Sequence, residues 1–458
     1  MRLTIKKYNY LLIAGGLFML LFNTSCKKYV TIPPPVNAVD EALAFADSST
    51  ATSVVLGIYS SIATGNSSNV FNAIKYGAMS ADEGYYLTNA SFDNFKNNTL
   101  AAGNDANVFW GAMYTKIGRA NYAIEGVNAS KTLSTSVKNQ LVGEAKFWRA
   151  WHYFYLVNYF GDVPLVVNTD ALTNGLLARA PVADVYQQIV TDLTDAKALL
   201  TTKYPSVEKA RINKSAVSAF LARVYFYQQN WAAAESEASE VINSGTYSLV
   251  TNLNNVFLIG STETIFQISL AGTSVPATVM GAEFIPASTT PSFVLYDTLA
   301  NSFEANDQRK VNWTKAITYV GKTYYYPYKY KVRSTTAGTE YPVMLRLAEL
   351  YLIRAEAEAN ESKIPQAQAD LNLVRNRAGL PNTTAATKDD LVKVLERERW
   401  FELFTEFSDR WFSLKRKNRA TEALSPIKPA WKPFQQLYPI PAQAMGANPN
   451  LKDNPGYF

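Results

Sequence analysis

The chain has 458 residues, 48% of them hydrophobic and 13% aromatic, with a formal net charge of +6 and a single histidine and a single cysteine. That length can bury a large core, as one big unit or two fused ones, and without a second cysteine the core rather than disulfides must hold the fold. The same scarcity excludes a zinc site of several nitrogen or sulfur ligands and leaves His152 as the only imidazole for a Ser-His-Asp triad, yet His152 sits in Trp151-His152-Tyr153-Phe154-Tyr155, where aromatics at helical spacing suit a packed core histidine.

The chain opens with Arg2, Lys6 and Lys7 ahead of an apolar run from Leu11 to Phe22, then Thr24, Ser25 and Cys26. The run is short for a permanent membrane span and reads as the apolar part of a cleaved export signal over 1–25. Cys26 stands where a bacterial lipoprotein signal is cut and the new N-terminal cysteine is acylated, so it is the expected lipidation site. Acyl chains contribute about 0.8 kcal/mol per buried methylene, and several together give a firm anchor. Residues 26–39, with Pro33, Pro34 and Pro35, read as a tether. Loss of the signal lowers the formal charge from +6 to about +3, which is no nucleic-acid footprint. The basic run Lys415, Arg416, Lys417 and Arg419 reads as a solvated helix end.

Residues 40–458 are expected to form a single unit, with a helical scaffold over 40–245 and 341–458 and a loop-rich segment over 246–340 between them. Trp110, Met113, Ile117, Ala120, Ile124 and Val127 recur at alternating three- and four-residue steps, and so do Val182, Val185, Ile189, Leu193, Ala196 and Leu200. Each set is one apolar stripe that a helix must bury against a neighbour, which predicts a mainly helical, all-α fold. Ala216 to Tyr227, a turn at Gln228-Gln229-Asn230, and Trp231 to Ile242 before Gly245 read as a helical hairpin. Between Thr246 and Tyr341 the helical signal gives way to glycines, short apolar runs such as Thr264 to Leu270, and tyrosines at 324, 325, 326, 328 and 330, which predicts loops and small strands laid over the scaffold. A second hairpin follows, with a stripe of Leu345, Ala348, Leu352, Ala355 and Ala359, a turn over Ser362 to Pro365, and a return through Ala367, Leu371, Val374 and Ala378. Both hairpins resemble tetratricopeptide pairs, although the full repeat signature is absent. Thr387 and Asp390 then suggest the capped start of a helix running toward Phe407.

Several segments in order resemble the SusD/RagB family of outer-membrane nutrient-binding lipoproteins. They are Gly143-Glu-Ala-Lys-Phe-Trp-Arg-Ala150 with Phe160-Gly-Asp-Val-Pro-Leu165; Arg346-Leu-Ala-Glu-Leu-Tyr-Leu-Ile-Arg-Ala-Glu-Ala357; Leu371-Asn-Leu-Val-Arg-Asn-Arg-Ala-Gly379; Glu396-Arg-Glu-Arg-Trp400 with Arg410-Trp-Phe-Ser-Leu-Lys-Arg416; and Tyr438-Pro-Ile-Pro441 with Asn448-Pro-Asn-Leu451 and Asn454-Pro-Gly-Tyr457. The resemblance implies an all-α, tetratricopeptide-containing fold and a lipid-anchored, outward-facing place on the outer membrane. It also implies partnership with a SusC-like TonB-dependent transporter and non-catalytic capture of an oligosaccharide, or of a peptide as on the RagB side of the family.

Glu398, Glu402 and Glu406, four residues apart, offer the best argument for an enzyme, since a glycosidase needs two carboxylates roughly 5–9.5 Å apart. Arg397, Arg399 and Arg410 lie close by in sequence, and paired charges on a helix ordinarily satisfy each other. No catalytic residue, metal site or required cofactor is therefore expected. Ligand capture would instead use aromatic faces, on which the C–H surface of a sugar stacks while nearby amides and acids meet its hydroxyls. The candidates are Tyr85, Tyr86 and Phe92, set among Asp82, Asn89, Asp93 and Asn94, together with Trp313, Tyr324 and Tyr326 in the non-helical segment.

Overall fold

The computed structural model describes residues 41–63, 69–103, 106–270, 277–335 and 337–457. The segments read as an export signal and a tether, with Cys26 between them, lie outside the described residues. Contacts divide the chain at Ala44; of the first unit, Met1–Ala44, only one helical turn is described, and everything below concerns Phe45–Phe458.

Among the described residues five helices of twelve residues or more open this unit: α1 (Ser48–Ala63), α2 (Asn69–Ser80), α3 (Ala106–Ala129), α4 (Thr135–Phe160) and α5 (Val182–Leu199). Helix α4 is the centre of the packing, with α1, α3 and α5 against it. From Leu141 to Phe160 every residue but Lys146 and Asn158 is buried, so the helix is covered all round. Ser134 starts it by accepting the Val137 N–H, and Gly161 stops it at φ +73°, a conformation that costs glycine nothing. The stripe on α3 is buried throughout, as its spacing predicts. On α5 the stripe is buried except for Val182, which opens the helix after Pro181 and remains 38% exposed.

The first hairpin consists of α6 (Lys214–Tyr227) and α7 (Trp231–Asn243), turned by Gln229 at φ +57°. The second consists of α8 (Leu347–Asn360) and α9 (Ile364–Arg377), turned by Ser362 at φ +64° with Pro365 in the first turn of α9. Helices α7 and α8 pack together, so the two hairpins form one continuous stack, and α10 (Lys388–Leu403) covers the second. Leu352, Ala355, Ala359, Ala367, Leu371, Val374, Leu391 and Leu395 form its core; each leucine there contributes about 1.5–3 kcal/mol by leaving water. Two expectations change. Leu345 belongs to a strand rather than to the stripe of α8, and α10 stops at Leu403, because Thr405, Phe407 and Ser408 all take positive φ before α11 (Asp409–Arg416) begins.

Three two-stranded antiparallel sheets complete the unit: β1 (Gly84–Tyr86) with β3 (Phe293–Leu295), β2 (Thr264–Gln267) with β6 (Val343–Arg346), and β4 (Thr314–Tyr319) with β5 (Lys322–Pro327). Most strand residues thus fall in or beside the segment read as loops and small strands.

The C-terminal segments close against α2 and the residues after it. Arg410 makes a two-pronged ion pair with Asp82 at 2.8 and 2.7 Å. The buried Lys428 ammonium donates to the Met79 carbonyl at 2.6 Å, the Ser80 carbonyl at 2.7 Å and Asn98 Oδ1 at 2.5 Å. Ser80 and Tyr438 share a hydroxyl hydrogen bond of 2.6 Å. Gly77 is required at this junction, since a Cβ there would lie 2.4 Å from that of Ser408. Among the described residues no helix is long and apolar enough to cross a membrane.

Candidate functional site

Of the acidic series, Glu398 and Glu402 lie on α10 and both are buried; Glu406 lies beyond its end, so the three do not share one helix face. Glu398 accepts from Arg309 at 2.6 Å and from Arg375 at 3.0 Å. Glu402 accepts from Arg346 at 2.5 Å, from Arg309 at 3.3 Å and from Arg377. Glu406 accepts from Lys329 at 2.5 Å and from Arg346 through two nitrogens at 2.8 and 2.9 Å. Burial pushes the Glu402 carboxyl up, but Arg377, Arg346 and Arg309 outweigh it and hold it well below the usual carboxylate range. Glu406 is likewise lowered, with Arg346 and Lys329 overcoming its burial. A glycosidase acid must hold a proton near neutral pH, and these two groups are built to lose it. His152 is equally unsuited. It is buried, its Nδ1–H donates to the Trp148 carbonyl at 2.6 Å, and burial next to Lys116 lowers its pKa to about 3. Among the described residues no group of three or more His, Cys, Asp or Glu side chains could hold a metal ion.

The aromatic candidates divide. Trp313 is wholly buried: its indole N–H donates to the Leu253 carbonyl at 2.9 Å, and Lys329, Arg346 and Arg377 lie 4.9, 5.8 and 5.9 Å from its ring. It offers no face to a ligand, which corrects its place among the candidates. Tyr86 is also buried; its ring stacks on Phe92 at 4.5 Å and its hydroxyl donates to Glu283. Phe92 is half-buried, with the Lys75 ammonium 4.7 Å from its ring. Tyr326 is 6% exposed and packs edge-on to Tyr328.

Tyr85 and Tyr324 remain, both half-buried, and the fold brings their regions together. Strand pairing sets β1 beside β3, and β3 in turn packs on β5. Tyr85 lies 4.8 Å from Tyr296, which follows β3, and its phenol is raised above the ordinary range first by burial and then by nearby Tyr324 and Asp297, with Lys322 opposing. On the hairpin, Ile317 pairs with Tyr324 and Lys315 with Tyr326, so these four share one face while Tyr325 takes the other. Lys96 lies 4.3 Å from the Tyr85 ring; Lys322 lies 4.8 Å from the Tyr324 ring and 2.8 Å from Asp297.

Sequence reasoning missed Tyr296, Lys96, Lys322 and Asp297. Each is an ordinary residue in its own segment and joins the face only through the β1–β3 pairing, which has no local signature. The hairpin turn carries one signal, Val320 at φ +47° followed by Gly321 at φ +74°, the two-residue turn that normally takes Asn-Gly. Valine is 86% exposed there in a conformation that β-branched residues avoid. Val320→Asn is expected to stabilise the protein by about 1 kcal/mol, read as a higher melting temperature. An unchanged or lower melting temperature would mean that the tip carries no strain.

Two family models match the chain: one described as "Starch-binding associating with outer membrane" over residues 44–226, and one described as "SusD family" over residues 220–457. SusD-like protein P2 of Formosa agariphila is 27% identical over 428 residues, covering 79% of this chain and 83% of its own. Among solved structures, a SusD superfamily protein of Bacteroides vulgatus superposes with a TM-score of 0.81 at 20% identity, covering 90% of this chain and 99% of the other. A laminarin-binding SusD-like protein gives a TM-score of 0.78 at 23% identity, covering 90% and 100%. The two superpositions establish the fold.

Proposed function

The chain belongs to the SusD family, and from that premise we propose that it captures oligosaccharides without transforming them, anchored at the outer membrane through lipid on Cys26, and delivers them to a SusC-like TonB-dependent transporter. The observation that carries the reading is the convergence of Tyr85 and Tyr324, from segments far apart in the chain, on one partly exposed face with Tyr296 and Asp297 beside them. Half-exposed tyrosines give a sugar ring something to stack on, and Asp297 can accept from its hydroxyls. The starch-binding description of one matching family model and the laminarin-binding name of one structural neighbour support an oligosaccharide as the cargo. Non-catalytic action is supported by the ion pairing of Glu398, Glu402 and Glu406, which leaves none of them free to donate a proton.

The test is calorimetric titration of the chain from Lys27 onward with neutral and acidic oligosaccharides and with a peptide digest, and chromatography of the same samples for products. Binding by oligosaccharide without product is expected. Tyr85→Ala combined with Tyr324→Ala should weaken it by tenfold or more, the equivalent of about 1.4 kcal/mol, with the melting temperature unchanged. Product formation would replace capture with hydrolysis. Binding confined to the peptide digest would move the protein to the RagB-like side, and full affinity in the double variant would remove the tyrosine face from the account.

A further inference from the structure

The tyrosines of the candidate face and its hairpin are attended by lysines. Besides Lys96 at Tyr85 and Lys322 at Tyr324, Lys310 lies 5.5 Å from the Tyr325 ring, and both Lys315, at 5.1 Å, and Lys331, at 4.4 Å, lie against Tyr328. Of these five ammonium groups, only that of Lys322 has a carboxylate within 4 Å among the described residues. Tyr324, Tyr325 and Tyr328 are half-buried and Lys315 and Lys322 are exposed, so rings and charges reach solvent together. An exposed cation–π contact is worth about 0.5–1 kcal/mol and accounts for one lysine on one ring. It gives neither Lys96 nor Lys315 a carboxylate partner, whereas Lys331 is held in place by the Asn312 and Tyr328 carbonyls at 2.6 and 2.7 Å.

We propose that the oligosaccharide recognised here is anionic, carrying carboxylate or sulfate groups, with the tyrosine rings stacking its sugars and Lys96, Lys315 and Lys322 meeting its acid groups. This rests on the capture reading above. A sugar stacked on a ring sits about one van der Waals contact, roughly 4 Å, above it, and a lysine already at that height on a flexible four-carbon stem needs only a rotamer change to reach an acid group on the sugar. Tyr324 and Tyr328 are separated by about 13 Å of extended chain, room for a short oligomer rather than a monosaccharide. A face built for neutral glycans alone would carry carboxylates and amides as its unpaired polar groups, because those exchange hydrogen bonds with hydroxyls in both directions. Here the one carboxylate beside the rings, Asp297, is already engaged by Lys322, and Lys96 and Lys315 are charged donors without a carboxylate among the described residues.

The probes are a trigalacturonate, a sulfated oligosaccharide of the same length, a neutral laminari-oligosaccharide and a short oligoglutamate, each titrated into the chain from Lys27 onward at low and at about 0.5 M salt, where charges more than a few ångströms apart are screened. One or both anionic sugars should bind at least tenfold tighter than the neutral one, with the advantage shrinking severalfold at high salt. Which of the two gains separates carboxylate from sulfate. Lys96→Gln with Lys315→Gln should bring the anionic probe down to the affinity of the neutral one. Neutral binding equal to or tighter than anionic, lost in the Tyr85→Ala, Tyr324→Ala variant, would overturn the anionic class and leave capture standing. Oligoglutamate binding as tightly as the sugars would show that the face reads charge alone and overturn the glycan class. Silence from every sugar would overturn the capture reading as well.

Discussion

Glu402→Ala should lower the free energy of unfolding by about 3–5 kcal/mol, the range for removing one partner from a buried ion pair. The carboxylate is wholly buried and answers three guanidinium groups, those of Arg309, Arg346 and Arg377, all buried with it. Its loss leaves their charges facing one another without the group that brings them together. Urea unfolding followed by tryptophan fluorescence checks this; a midpoint shift worth less than about 1 kcal/mol would mean that Glu398, Glu406 and the buried Glu263, which pairs with Arg346 at 3.0 Å and Arg377 at 2.6 Å, suffice to hold the arginines. The same groups set the pH response. Glu402 and Glu406 titrate below the ordinary range in the folded chain, and Glu356, where Arg416 and Lys417 outweigh burial, titrates at about 2. As pH falls the unfolded chain therefore takes up protons first, so the contribution of these three groups is full above about pH 5 and is lost progressively toward pH 2. Glu83 runs the other way. Burial holds its carboxyl up at about 8, so it withdraws stability as pH rises from the carboxylate range toward 8.

Trp313→Ala should cost a further 3–5 kcal/mol or so of stability, the usual loss for truncating a buried aromatic, while the fraction that remains folded binds oligosaccharide within about twofold of the unaltered chain. The ring packs against Phe257 and lies below Arg346 and Arg377, with its N–H satisfied by backbone, so its removal opens a cavity under the ion network and touches nothing on the tyrosine face. A stable variant with lost binding would return Trp313 to the ligand site. Because Glu402 and Trp313 share Arg346 as a neighbour, the two losses should not add, and the double variant measures the coupling.

Elements whose burial is one-sided were legible in the sequence. The stripe on α3 and the outer helices of the two hairpins, α7 and α9, alternate apolar and polar residues because each of these helices has a wet face, and Gly245 at φ +65° marks the end of α7. Helix α4 gave no stripe because it has no wet face to mark. The end of α10 was hidden for a different reason. Thr405, Phe407 and Ser408 are poor choices for positive φ, and tertiary contacts hold them there, such as the Glu83 carboxyl group accepting the Thr405 N–H and Ser408 Oγ reaching the Ala73 carbonyl and Tyr159. The candidate site was half legible. Tyr85 and Tyr324 stood out as tyrosines in polar company, but nothing local says that β1 and the β4–β5 hairpin are neighbours. Trp313 misled because a tryptophan in a glycine-containing segment read as non-helical looks exposed, whereas this one ends a short helix and lies beneath buried charges that come from three separate segments.

The contacts that fasten Lys428, Arg410 and Tyr438 to residues 79–98 span more than three hundred positions of sequence. Contacts so distant carry a large loop-closure cost and form slowly. A chain emerging from its N-terminus cannot seal this core until nearly all of it is present. The carbonyls of Met79 and Ser80 and the carboxylate of Asp82 remain in water until then. This junction thus stays open through most of the chain's synthesis, and one of the last segments to arrive closes it.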